Sequence, residues 1–222
     1  MTYRVTTRRL ARDGSMASYA IVYALRWNRV GRGVQLVATL QSVESDARPE
    51  LAHMVAKLLQ PLVGQPMTYL VAPDGSRIDL VDPDGLWQRV LGSAHDVGAG
   101  SGQPEARQMA DILASLPAAE RDKLATSDIR ALVAHAATLP LAGEGVTVEQ
   151  VGTLKTISRR QKAGAAGPQP LEIDLSWTVD TVTGLVMAER RQSWMGTATG
   201  GRTLVEERVR ALDPAVSNGE VS

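Results

Sequence analysis

Hydrophobic and polar residues alternate in some stretches of this chain and recur every three or four positions in others. Residues 19–27 give the clearest alternation. Tyr19, Ile21, Tyr23, Leu25 and Trp27 fall on one side, and Ala20, Val22, Ala24 and Arg26 on the other. A period of two predicts a strand with one well-buried face. Residues 3–12 alternate more loosely and stop at Asp13-Gly14, and residues 34–43 resume β character after Gly31-Arg32-Gly33. Glycine turns between such runs predict an antiparallel meander. The period then lengthens. Leu51, Met54, Val55, Leu58, Leu59 and Leu62 make one apolar stripe, with Pro49 near its start and Gly64 past its end. That pattern predicts a helix over 49–62.

Pro-Asp-Gly occurs twice, at 73–75 and 83–85. The first lies between short β-type runs at 67–71 and 77–81 and has the chemistry of a hairpin turn. The second precedes Leu86, Trp87, Val90 and Leu91 at helical spacing, so Asp82 caps and Pro83 takes the first helical position. Asp79, Asp82 and Asp84 lack the later ligands of a calcium loop. The glycines at 98–102 predict a flexible loop. They match neither a phosphate-binding loop nor a nucleophile elbow. Helices follow at 105–116 (Met109, Ile112, Leu113, Leu116) and at 128–139, the latter capped by Ser127, with a short helical link starting at Pro117. Residues 146–160 return to β character. Leu171, Ile173, Leu175, Trp177 and Val179 alternate cleanly, and runs at 185–194 and 203–212 follow glycine turns.

Strands, helix, hairpin, helices and strands in that order predict an α+β fold. The expected form is a curved antiparallel sheet of two β-meanders with a helical layer inserted between them. The expected organisation is one domain over 1–212: a meander at 1–46, helix and hairpin at 47–81, a helical insertion at 82–141 and a meander at 145–212. A flexible tail fills 213–222. Each meander has an arginine pair, a turn and an alternating strand ending Leu-x-Trp (Arg8-Arg9 to Trp27, Arg159-Arg160 to Trp177), which suggests an internal repeat.

Composition narrows the functions. Lys plus Arg and Asp plus Glu both number 24, so no overall basic excess points to nucleic acid or an anionic membrane. Cysteine is absent, which excludes disulfides, thiolate metal sites and cysteine nucleophiles. It also fits an oxidising compartment. With a strand at the first residues, it is read as a bacterial periplasmic or secreted chain whose signal has been removed, the alternative being a cytoplasmic one. No stretch reaches the roughly 18 to 20 apolar residues of a membrane span. Arg8-Arg9, Arg159-Arg160-Lys162 and Arg190-Arg191 read as solvated strand ends rather than a nucleic-acid patch. His53, His95 and His135 include a local Ser93-His95-Asp96 grouping, but a catalytic triad converges from separate elements. Glu206 and Glu207 are neighbours on a strand and point to opposite faces. No catalytic or metal residues and no cofactor are assigned.

The long meanders, the Pro-Asp-Gly hairpin and the phrase WTVDTVTGLVMAERRQSW, with its turn at Asp180, Thr183, Gly184 and Leu185, resemble exported bacterial sheet proteins. In architecture they resemble the half-barrel lipoprotein carriers of the LolA type. That resemblance spans 1–81 and 146–212 and implies an apolar cavity between sheet and helices. The residues expected to line it are Tyr19, Tyr23, Trp27, Met54, Leu58, Leu175 and Trp177, and its ligand would be a lipid or other apolar molecule. The competing expectation is a protein-interaction or envelope-structural module with a filled core.

Overall fold

The computed structural model describes residues 1–11, 13–46, 56–100, 104–133, 139–163, 171–196 and 201–213. Ten strands form one sheet: β1 (Thr2–Leu10), β2 (Met16–Val30), β3 (Gly33–Ser45), β4 (Pro66–Val71), β5 (Ile78–Leu80), β6 (Val146–Val151), β7 (Leu154–Ala163), β8 (Leu171–Asp180), β9 (Val186–Gly196) and β10 (Arg202–Asp213). Their order is β5-β4-β3-β2-β1-β10-β9-β8-β7-β6, with antiparallel pairing throughout. Helices α1 (Pro83–Gly100), α2 (Pro104–Ser115) and α3 (Ala118–Leu132) are inserted between β5 and β6. The fold is therefore α+β: two meanders with a helical insertion, joined where β1 meets β10.

One face of β1–β5 buries the main core. Tyr3, Val5, Leu25, Leu36, Ala38 and Tyr69 from the sheet meet Leu86, Trp87, Val90, Ile129 and Leu132 from the helices. Leu36 and Ala38 are completely inaccessible. The opposite face of β2 is buried too, at Ala20 and Val22. The sequence pattern places these with the less buried side. Neighbouring Arg4 and Glu44 are salt-bridged at 2.7 Å and shield them, because long charged side chains lay their stems over small residues.

Both Pro-Asp-Gly segments do the work read from the sequence. At the first, Ala72 N–H donates to Arg77 O (2.9 Å), Ser76 N–H and Oγ donate to Asp74, and Gly75 takes φ 69°. At the second, Gly85 N–H donates to the Asp82 carboxylate (3.0 Å) and opens α1. The hairpin strands then join β3 directly, extending the first meander to five strands.

Several expectations need correction. The predicted loop at 98–102 is helical as far as Gly100. Ala94 and Gly98 are buried on this helix, which packs against α2, so burial continues through the glycines that the sequence pattern reads as a loop. The predicted link and the start of the helix predicted at 128–139 are one helix, α3, over Ala118–Leu132, and residues 134–138 of that prediction lie outside the described residues. Ser127 lies inside α3, and its hydroxyl donates back to Leu124 O (3.0 Å) instead of capping. The β stretch at 146–160 is a hairpin, turned at Gly152 with φ 59°. Of the helix predicted over 49–62, residues 56–59 are helical and Gln60–Leu62 form a 3-10 turn. Its earlier part lies outside the described residues, as does the tail from 214 onward.

The internal repeat does not survive the register. Arg8 pairs with Ser18, and Trp27 stands at the far end of β2, beyond Ala24, the last residue of β2 paired with β1. Arg159 pairs with Leu175, and Trp177 is the next residue on the same face. The two tryptophans hold different places in their ladders.

Gly75 has a second constraint. A Cβ there would lie 2.8 Å from Val133 O at the end of α3, whereas a Cβ at Gly14, also at positive φ, would meet nothing. Gly14→Ala is expected to cost about 1 kcal/mol for the backbone alone. Gly75→Ala should cost clearly more, since α3 must also move. Urea denaturation of both variants checks this, and equal losses would remove the proposed contact.

Candidate functional site: an apolar cavity under the helices

A cavity of about 230 Å³ lies between the helices and the first meander. Its floor is Ile21 and Tyr23 of β2, Leu40 of β3, and Met67 and Tyr69 of β4. These share a face because Leu36 opposes Tyr69, Ala38 opposes Met67, and Leu40 opposes Tyr23. Its roof is Leu58, Leu59 and Leu62, with Leu86, Trp87 and Val90 of α1, Leu113 of α2, and Leu124, Ala125 and Ile129 of α3. Leu124 is 54% exposed, so the lining reaches the surface at α3.

Few polar groups reach this space. Among the described residues Asp128 is the one charged side chain in the lining. Its Oδ1 accepts from Arg208 Nη2 (2.6 Å) and Arg210 Nε (3.1 Å), and Arg210 Nη1 also donates to Glu189 (2.9 Å). Two arginines thus face two carboxylates at the border of the cavity. Tyr3 OH donates to Asp128 O (3.0 Å) and Tyr69 OH to Ala125 O (3.2 Å), which ties β1 and β4 to α3. Tyr23 OH has no hydrogen-bond partner among the described residues, and Trp87 Nε1 is buried without one. Arg121 lies 5.8 Å over the Trp87 ring.

Burial raises the ionisation of Tyr3, Tyr23 and Tyr69 well above the ordinary phenol range, and the Asp128 charge adds to the effect in each. Tyr19 is raised by partial burial and by Asp46.

The seven residues expected to line one site do not share it. Tyr23 and Leu58 line the cavity. Tyr19 lies further along β2, opposite Thr7 and Ser45, and Trp27 packs against the core outside the lining. Leu175 and Trp177 are on β8, four strands from β2 in the sheet. Met54 lies outside the described residues. Period two puts residues on a common face but says nothing of which part a helix covers. Tyr69, Trp87, Ala125 and Asp128 were not picked out from the sequence. Helical spacing around Trp87 and Ile129 marks the buried stripes, but Asp128 carries no local signal, because its partners are about eighty residues away.

Ser93 Oγ donates to Lys57 O (2.9 Å), which ties α1 to the helical residues 56–59. His95 is exposed on α1, and His53 and His135 lie outside the described residues. No group of three or more His, Cys, Asp or Glu among the described residues could hold a metal. Among the same residues no helix is long and apolar enough to cross a membrane. No protein-family model and no curated protein matches this chain.

Two outcomes follow. Asp128→Asn leaves Arg210 with Glu189 alone and Arg208 with no carboxylate among the described residues, and should lower stability by about 2–4 kcal/mol in urea. The raised tyrosine ionisations favour the folded state below the unfolded phenol value near 10, and that contribution is lost as the pH rises above it. In an absorbance titration at 295 nm, Tyr19 is expected to ionise first. Tyr3, Tyr23 and Tyr69 should ionise together with loss of the fold. Four independent titrations in a folded chain would contradict their burial.

Proposed function

We propose that this protein is a binding protein that holds a small apolar molecule between its helices and its sheet. The observation that carries the reading is the cavity of about 230 Å³ between the helices and the first meander, open at α3 and walled by Leu, Ile, Met, Tyr and Trp side chains. Such walls with a few polar groups characterise small-ligand sites. Tyr23 OH and Trp87 Nε1, both without hydrogen-bond partners among the described residues, would suit a ligand with one neutral oxygen acceptor. The volume favours one short chain or a compact hydrophobe over a complete phospholipid. An interaction module with a filled core is disfavoured by the same cavity. An extracytoplasmic setting belongs to the proposal, supported by the absence of cysteine.

The test uses the chain purified without detergent. Native mass spectrometry followed by organic extraction should find a stoichiometric apolar adduct, or else the chain should take up one N-phenyl-1-naphthylamine with enhanced fluorescence. Ala125→Trp and Leu113→Trp each fill the cavity and should weaken uptake at least tenfold. No adduct and no uptake, or unchanged uptake in both folded variants, would overturn the reading.

A further inference from the structure

The arginine pairs at 159–160 and 190–191 are divided by the pleat. Arg160 donates to Asp174 (2.9 Å), and Arg190 donates to Glu207 (2.7 Å). Both lie on the face away from the helices. Arg159 and Arg191 point to the other face, the one carrying Arg208 and Arg210 towards α3. There neither meets a carboxylate among the described residues. Arg159 meets only the neutral side-chain amide of Gln161, which accepts from the guanidinium at 2.9–3.1 Å when its oxygen is turned towards it. Both are opposite Leu175 in register, one from each neighbouring strand. Their Cα atoms are therefore roughly 10 Å apart, a span that two arginine side chains can close above one anion.

The β8 strip between them is apolar on this face, with Gln161, Ser193 and the Arg210-paired Glu189 beside it. Ile173 and Trp177 flank Leu175 on the same face of β8, and all three are half-buried. The helices cover β1–β5 and reach β10 and β9 through α3. Arg191 also stands directly opposite Arg208, a like-charge pair that a bound anion would relieve. A second copy laid face to face would bring the same arginines together, so charge argues for an anionic occupant.

We propose that Arg159, Arg191 and the β8 strip bind a single-chain anionic amphiphile, its acidic head between the two guanidiniums and its chain over Leu175, Ile173 and Trp177. This site is separate from the cavity and does not depend on it. It is tested in the Ala125→Trp background, where cavity binding is blocked, by calorimetric titration with laurate, acetate and dodecyl maltoside. Laurate should bind, and R159Q/R191Q should weaken it at least tenfold. R160Q/R190Q removes the same charge from the opposite face and should leave laurate affinity within twofold. An unchanged affinity in R159Q/R191Q, or an equal loss in R160Q/R190Q, would overturn the proposal. So would dodecyl maltoside or acetate binding as tightly as laurate, or anionic vesicles binding while monomeric laurate does not. Circular dichroism of each variant confirms that the fold is retained.

Discussion

The pairing of β1 with β10 is the constraint on which the rest of this structure depends. It runs from Thr2 opposite Asp213 to Arg9 opposite Glu206 and joins the two ends of the described chain. Without it there would be two five-stranded meanders, each with an extra open edge. Its ladder also carries both chemistries of the sheet. Tyr3 and Leu212 are paired in the core, while Arg9–Glu206 (2.6 Å) and Arg8–Glu207 (3.3 Å) close the other end with ions. Closing so long a loop is entropically costly, though the cost grows only slowly with loop length. Core burial and the ion pairs oppose that cost.

The two faces of the sheet solve different problems. Away from the helices, charge is neutralised locally. Glu207 is 3% exposed and accepts from Arg190, Gln192 and Arg8. Burial opposes its ionisation, yet the hydrogen bonds from Arg190 and Gln192 hold its carboxyl below the usual range. Asp174 is similar, with desolvation outweighed by Arg160 and Arg202. On the helix side, hydrophobic packing dominates, and the charged groups gather at the border of the covered region. The Asp128, Arg208, Arg210 and Glu189 cluster marks where α3 ends its cover and the second meander begins.

That border organises the chemistry proposed for the protein. On one side the helices cover an apolar space where, among the described residues, the only charged lining group is already held by two arginines. On the other side the same face continues without the described helices, and two arginines there have no carboxylate to hold among the described residues. The two sites differ in the same way as their surroundings: one excludes charge, the other requires it. Hydrogen bonds from Tyr3 and Tyr69 to carbonyls of α3 fix the helix that separates them.

By itself the sequence determined the local elements. The alternation in residues 19–27, the Pro-Asp-Gly turn chemistry and the Asp82 cap depend on neighbours within a few residues, and each forms as its pattern requires. The α+β class and the helical insertion follow from the order of those elements. Local pattern was insufficient where packing over-rode propensity, as in the helical continuation through Gly98 and the single helix containing Ser127. Tertiary structure alone decided which part of a shared strand face is covered. Period two gave Tyr23 and Trp177 the same apolar character, yet only Tyr23 came to lie beneath the helices. It also decided which arginine of each pair finds a carboxylate, because that depends on strands far away in sequence and on the side of the pleat each one faces.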